Sequence, residues 1–109
     1  MTVQELARWL NARNAAPGTD ETAQVHCGYA GDLLSWVMSR AQEGDAWLTV
    51  MGNVNSIGVA VLADVACIIL TENAALDEEA LKRAEQNGVI ILTTGKNSYR
   101  VAAEISRLN

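Results

Sequence analysis

The residues of this chain best suited to hold a ligand fall in three short polar runs: Gly52-Asn53-Val54-Asn55, Thr71-Glu72-Asn73 and Thr93-Thr94-Gly95-Lys96-Asn97-Ser98. Each run follows an apolar stretch of strand type and precedes an amphipathic stretch of helix type. Backbone N–H groups and hydroxyls in that setting can hold a phosphate or a carboxylate, because a helix N-terminus presents unpaired donors and partial positive charge. Asn, Thr, Ser and Gly are also the residues that cap helices and form turns, so the same letters serve a purely structural purpose equally well. Lys96 favours the anion, since a cation beside a helix N-terminus contributes nothing to capping. The candidate ligand residues are Gly52, Asn53, Asn55, Thr71, Thr94, Gly95 and Lys96, and the ligand class is a nucleotide or other phosphorylated metabolite.

Other chemistry is thinly supplied. The run Thr93–Ser98 is not a P-loop: Ile90 stands where that motif needs its first glycine, and Asn97 stands where Ser or Thr must follow the lysine. Glu43 with Asp45, and Asp77 with Glu78 and Glu79, read as solvated helix ends. Ser35, Ser39, Ser56 and Ser98 have no evident base beside them. The single histidine, His26, is read as a partly buried strand residue, and no set of residues meets the requirements of a catalytic site. Cys27 and Cys67 are far apart and read as buried structural thiols. His26 and Cys27 are adjacent and would point to opposite faces of a strand, so no metal site is expected. No cofactor and no catalytic residue are assigned.

The elements that must position the three runs follow from periodicity. Thr2 and Glu5 match a capping box for a first helix with Val3, Leu6, Ala7 and Leu10 inward and Trp9 at the rim. Pro17 and Gly18 close this N-terminal unit of helix and loop, residues 1–20. The remainder, 21–109, is read as the core of the same domain. A strand is expected over residues 22–29. A helix capped by Asp32 and running to about Gln42 follows it, with Leu33, Leu34, Val37 and Met38 on its inward stripe. Trp36 lies about 130° from the centre of that stripe. An indole there implies an interface, either with another helix of the same chain or with a partner protein.

The rest of the chain alternates the two element types. The expected strands are "AWLTVM", "ACIIL" and "VIILTT". A helix capped by Asn53 or Asn55 carries Val54, Ile57, Val61, Leu62 and Val65 inward. Another runs from Asp77 to Gly88, and the last from about Ser98 to Leu108 with Val101, Ala102, Ile105 and Leu108 inward. Strands alternating with helices predict an α/β fold: one layered domain, a mostly parallel sheet of about four strands, flanked by helices.

At 109 residues, half of them hydrophobic, the chain can build one core without disulfides. The formal net charge of −5 and scattered basic residues argue against nucleic acid as a partner. The longest apolar run, "IGVAVLADVACIIL", is too short for a bilayer and contains Asp64, and the N-terminus lacks a signal-peptide pattern. The expectation is a cytoplasmic protein with no membrane contact.

The stretch "GDLLSWVMSRAQEGDAWLTVMGNVNSIGVAVLADVACIILTENAALDEEALKRAEQNGVIILTT" resembles the DRTGG domain, and most of all the short stand-alone members found in anaerobic bacteria. The likeness covers about residues 21–108. Where many members carry Gly-Asp-Arg this chain has Gly52-Asn53-Val54, and where they carry Leu-Thr-Gly-Gly it has Leu70-Thr71-Glu72-Asn73. Gly52, Leu70 and Thr71 carry over by letter. The resemblance implies regulation rather than catalysis. Such domains occur beside CBS pairs, pyrophosphatases and phosphotransacetylases, are similar to the N-terminal domain of HPr kinase, and tend to associate as dimers. A non-enzymatic, homodimeric regulatory or protein-interaction module is therefore expected, with a small-ligand sensor as the alternative.

Overall fold

Thr2 and Glu5 satisfy each other as their spacing predicts. The Thr2 hydroxyl accepts from the Glu5 N–H at 3.1 Å, and the Glu5 carboxylate accepts from the Thr2 N–H at 3.0 Å. Helix α1 (Val3–Leu10) starts from that box and buries Val3, Leu6, Ala7 and Leu10. In the computed structural model, which describes residues 1–107, nine further elements follow. They are β1 (Arg13–Asn14), β2 (Cys27–Ala30), α2 (Leu34–Arg40), β3 (Asp45–Thr49), α3 (Val54–Ala63), β4 (Cys67–Leu70), α4 (Glu78–Asn87), β5 (Ile91–Thr93) and α5 (Ser98–Ser106). The sheet order is β1-β5-β4-β3-β2; β2 to β5 are mutually parallel and β1 joins β5 antiparallel.

Strand alternation divides the core into two layers. Ala46, Leu48, Cys67, Ile69 and Leu92 face α1 and α5, where they meet Leu6, Leu10, Val101 and Ile105. Trp47, Ile68, Leu70 and Ile91 face α2, α3 and α4, where they meet Val37, Ile57, Ala60, Ala80 and Ala84. With helices on both faces, β3 and β4 are buried along their whole length, which is why "ACIIL" reads as an unbroken apolar run. The indole of Trp47 is fully buried, and its N–H donates to the Gly31 carbonyl at 2.8 Å.

The expected α/β architecture is present, with one strand more than the four anticipated. The addition is β1, two residues too few to leave a periodic signal. The strand expected over 22–29 is shorter and later, because its first half leaves the sheet: Gln24 bridges to Thr2 and Val25 donates to Met1. His26 and Cys27 are consequently exposed rather than buried. Trp9 is half exposed on the outer side of α1.

Two helices depart from their expected faces. Asp32 does not cap α2; its carboxylate accepts from the Thr49 hydroxyl at 2.7 Å and the Val50 N–H at 3.0 Å, so Leu33 stands at the N-cap with no side-chain bond. The helix ends at Arg40, short of Gln42, and of its expected stripe only Val37 is fully buried; Leu33 and Met38 are 56% and 47% exposed. In α3 the buried set is Ser56, Ile57, Val59 and Ala60, while Val61 and Leu62 face water at 47% and 72%. That helix is apolar on nearly every side, so its neighbours rather than its own pattern decide which residues are covered: the sheet beneath it, with α2 and α4 on its two flanks. Asn53, Gly88 and Asn97 end or begin their helices as their types predict. Of the expected last helix, Leu108 lies outside the described residues.

Candidate functional site

The C-terminal edge of a parallel sheet is where helix N-termini converge and where ligands of α/β proteins usually sit. All three polar runs lie there, and cross-ties join them in sequence. Asp32 links the end of β2 to the end of β3, as above. Gly52 forms an isolated bridge with Leu76, and its carbonyl accepts from the Asp77 N–H at 2.9 Å, which ties the loop after β3 to the loop after β4. The N–H groups of Glu72 and Asn73 donate to the carbonyls of Lys96 and Thr94 at 2.9 and 3.0 Å, which ties the loop after β4 to the loop after β5.

Each candidate residue has a definite place in this lacework. A Cβ on Gly52 would lie 2.2 Å from the Ala75 carbonyl oxygen, so this glycine makes room for the chain itself. The Asn53 side chain caps α3 through the Ser56 N–H at 3.1 Å. Asn55 is exposed in the first turn of α3. Thr71 is fully buried, with its hydroxyl 2.6 Å from that of Ser98. The Thr94 hydroxyl accepts from the Lys96 N–H at 3.2 Å. Gly95 has open space where a side chain would be. The Lys96 ammonium pairs with the Glu104 carboxylate at 3.3 Å, one turn and more along α5.

Glu72 is the residue that sequence reasoning undervalued. Its carboxylate accepts from the Ser98 N–H at 3.0 Å, so an internal anion already stands at the N-terminus of α5 beside the Asn97 cap. Both Glu72 and Asn73 are left-handed, with φ of 61° and 55°. A pair of glycines is the easiest way to build such a turn. The signal was therefore present in the letters: this chain places Glu-Asn where a Gly-Gly pair would meet the backbone requirement without strain.

The remaining assigned position, Trp36, is half exposed, and the Arg40 guanidinium lies 3.8 Å from the centre of its ring. One turn apart on α2, the two form a cation–π pair. Burial pushes the Cys67 thiol up to about 12, whereas Cys27 is solvent-accessible. Backbone and side-chain bonds to Thr2 hold the Glu5 carboxyl below its ordinary range, and the Thr22 hydroxyl and N–H do the same for Asp20. Among the described residues no group of His, Cys, Asp and Glu is arranged to hold a metal ion, and no helix is long and apolar enough to cross a membrane.

These features define a small α/β module: a parallel sheet between two helical layers, with a cross-tied carboxyl edge. The chain belongs to the DRTGG domain family, whose model matches residues 5–108. Its fold is that of a crystal structure of the CBS and DRTGG domains of the regulatory region of Clostridium perfringens pyrophosphatase, complexed with the activator diadenosine tetraphosphate. The TM-score is 0.75 at 14% identity, over 95% of this chain and 45% of that one. The chain thus spans less than half of that solved structure. No curated protein sequence matches it.

Proposed function

We propose that this chain is a non-catalytic regulatory module that acts through protein contacts as a homodimer in the cytoplasm, with Trp36 on the contact surface. The observation that carries the reading is the placement of Trp36: an indole half in water, stacked by Arg40, with the exposed Leu33 on the same side at the start of the helix. Exposed aromatic and aliphatic groups grouped on one element are typical of interaction surfaces, where Trp and Arg contribute most of the binding energy. The polar groups of the carboxyl edge support the non-catalytic part, because most of them are engaged in bonds within the chain. Family membership supports regulation. The net charge of −5 favours protein or small-molecule partners over nucleic acid.

Sedimentation velocity across a concentration series tests the reading. A dimer is expected at micromolar concentration, and Trp36→Ala is expected to raise its dissociation constant about tenfold or more, as loss of a central aromatic contact does. A wild-type chain that stays monomeric throughout the series overturns the dimer.

A second reading places a nucleotide or other phosphorylated metabolite at the carboxyl edge, on Gly52, Asn53, Asn55, Thr71, Thr94, Gly95 and Lys96. What favours it is the similar fold solved with a nucleotide activator, together with the open space at Gly95. Thermal-shift titration with diadenosine tetraphosphate, AMP and ATP separates the two, since binding to the native state raises the melting temperature. A saturable rise that Lys96→Ala abolishes supports the sensor; no rise at millimolar ligand removes it.

A further inference from the structure

We infer that the outer edge of β2 is the surface through which two copies of this chain join, pairing antiparallel about a two-fold axis to make one continuous ten-stranded sheet; the inference rests on the dimer reading above and adds its location. The two edges of the sheet are unlike. The β1 edge is two residues long, runs antiparallel to its neighbour, and is followed three residues later by Pro17. It is blunted in the ways that natural proteins blunt edges. The β2 edge is four residues long, and among the described residues no strand lies beyond it. It carries none of those protections. From Val25 to Gly31 there is no Asp, Glu, Lys, Arg or Pro.

Its free groups can be named. The His26 N–H donates inward to the Gly44 carbonyl at 2.8 Å. At the other end of the strand the Gly31 N–H donates to the Leu48 carbonyl at 3.1 Å, and with Ala30 opposite Leu48 the alternation turns Cys27 and Tyr29 toward β3 and leaves the N–H and C=O of Gly28 and Ala30 pointing away from the sheet. On one face the edge is flanked by α2. Trp36 and Arg40 lie on the flank of that helix opposite the one that packs toward α3, with Leu33 at its start. On the other face an apolar groove of about 140 Å³ runs between the edge and α5, lined by Gly28, Ala30, Leu48, Ala102 and Ile105.

The occupant is a second copy for two reasons. The strand is uncharged from Val25 to Gly31, so two chains of net charge −5 can bring these edges together without opposing like charges along it, and the Arg40 guanidinium beside it is held over the Trp36 ring of its own chain. The surface is also self-complementary. Antiparallel pairing sets α2 against α2, and Trp36, near the middle of a seven-residue helix, then approaches its own counterpart across the axis. A stable dimer buries about 800 Å² per partner. The faces of a body measuring 32 × 28 × 23 Å are of that order, so strand, α2 flank and α5 flank together suffice.

Amide hydrogen exchange of the full chain, resolved by residue and run from micromolar to near-millimolar protein, tests this. The Gly28 and Ala30 amides are expected to slow about tenfold or more as the dimer fills, because only the partner strand can protect them. Ala30→Pro, which removes an outward N–H at an exposed position, and Ala30→Lys, which sets like charges against each other, are both expected to give monomers with circular dichroism like that of the wild type. If the chain dimerises and these amides exchange at one rate at every concentration, the interface lies elsewhere and the edge proposal falls while the dimer stands. If either variant is folded and dimerises like the wild type, the proposal also falls. A wild-type chain monomeric throughout removes both.

Discussion

Gly52 and Glu72 show how single residues set the shape of the carboxyl edge. Gly52→Ala would push a Cβ into the Ala75 carbonyl, which is backbone and cannot rotate aside. The expected cost is about 1–3 kcal/mol of stability, as for other overpacked sites, read from the urea midpoint. An unshifted midpoint would mean that the loop after β4 moves freely. At Glu72 two effects oppose each other: a left-handed backbone that disfavours a side chain, and a carboxylate that caps α5. Glu72→Gly trades one for the other and should change stability by about 1 kcal/mol or less. Glu72→Val keeps the strain, adds β-branching and loses the cap, so it should cost about 2 kcal/mol in the same assay. Cys67 fixes a pH limit. Its thiol stays neutral in the fold up to about 12, while in the unfolded chain it ionises from its ordinary 9.0. Stability is therefore unaffected by this group below pH 9 and falls as the pH rises from there toward 12, because only the unfolded state releases the proton. Cys67→Ala should flatten that alkaline decline in melting temperature, though it lowers stability at neutral pH by opening a small cavity.

At the scale of elements, α2 carries the most consequential misfit between pattern and place. Leu33 occupies its N-cap without a side-chain bond, more than half exposed, because Asp32 is drawn away to Thr49 and Val50. Leu33→Asp supplies the missing cap. It should raise unfolding free energy by about 0.5–1 kcal/mol at low protein concentration, as caps of this kind do. If α2 flanks a dimer contact, the same substitution should weaken the dimer in sedimentation, so that folding and association move in opposite directions. Elements whose signals were local were legible in the sequence: the Thr2–Glu5 box, the Asn53 cap, the Gly88 stop and the buried run of β4 are all where the letters place them. What could not be read depended on distant partners. Asp32 looked like a cap because its true donors are seventeen and eighteen residues away. Val61 and Leu62 looked inward because α3 is apolar on nearly every side, and only its neighbours decide which side is covered. The three polar loops were legible as neighbours at one edge, but not the bonds among them, since backbone ties between Glu72, Asn73, Thr94 and Lys96 leave no trace in side-chain type.

For the molecule as a whole, the first twenty residues matter more than their position suggests. Read by sequence they form a helix and a loop ahead of a core at 21–109. In the fold, Val3, Leu6, Ala7 and Leu10 are buried in the layer that also holds Leu48, Ile69, Leu92 and Val101. The segment is tied at both ends as well: Val3 and Gln4 donate to the carbonyls of Ala23 and Glu21, and Ala15 donates to the carbonyl of Ile91 at the start of β5. Burying each large aliphatic side chain is worth about 1.5–3 kcal/mol. Three of that size, with Ala7 and the β1 pairing, amount to a large part of the 5–15 kcal/mol that holds a domain of this size together. A fragment lacking residues 1–20 would also expose Ile69, Leu92 and Ile90 on the sheet face that α1 covers. It is therefore expected to lose cooperative melting and to aggregate, while its strands retain their propensity in circular dichroism. Adding the 1–20 peptide in trans should restore little, because the two ties that align α1 are then intermolecular and their ordering entropy is no longer shared with the chain. A soluble fragment 21–109 with a sharp thermal transition would show that α1 is an accessory layer and that the core closes without it.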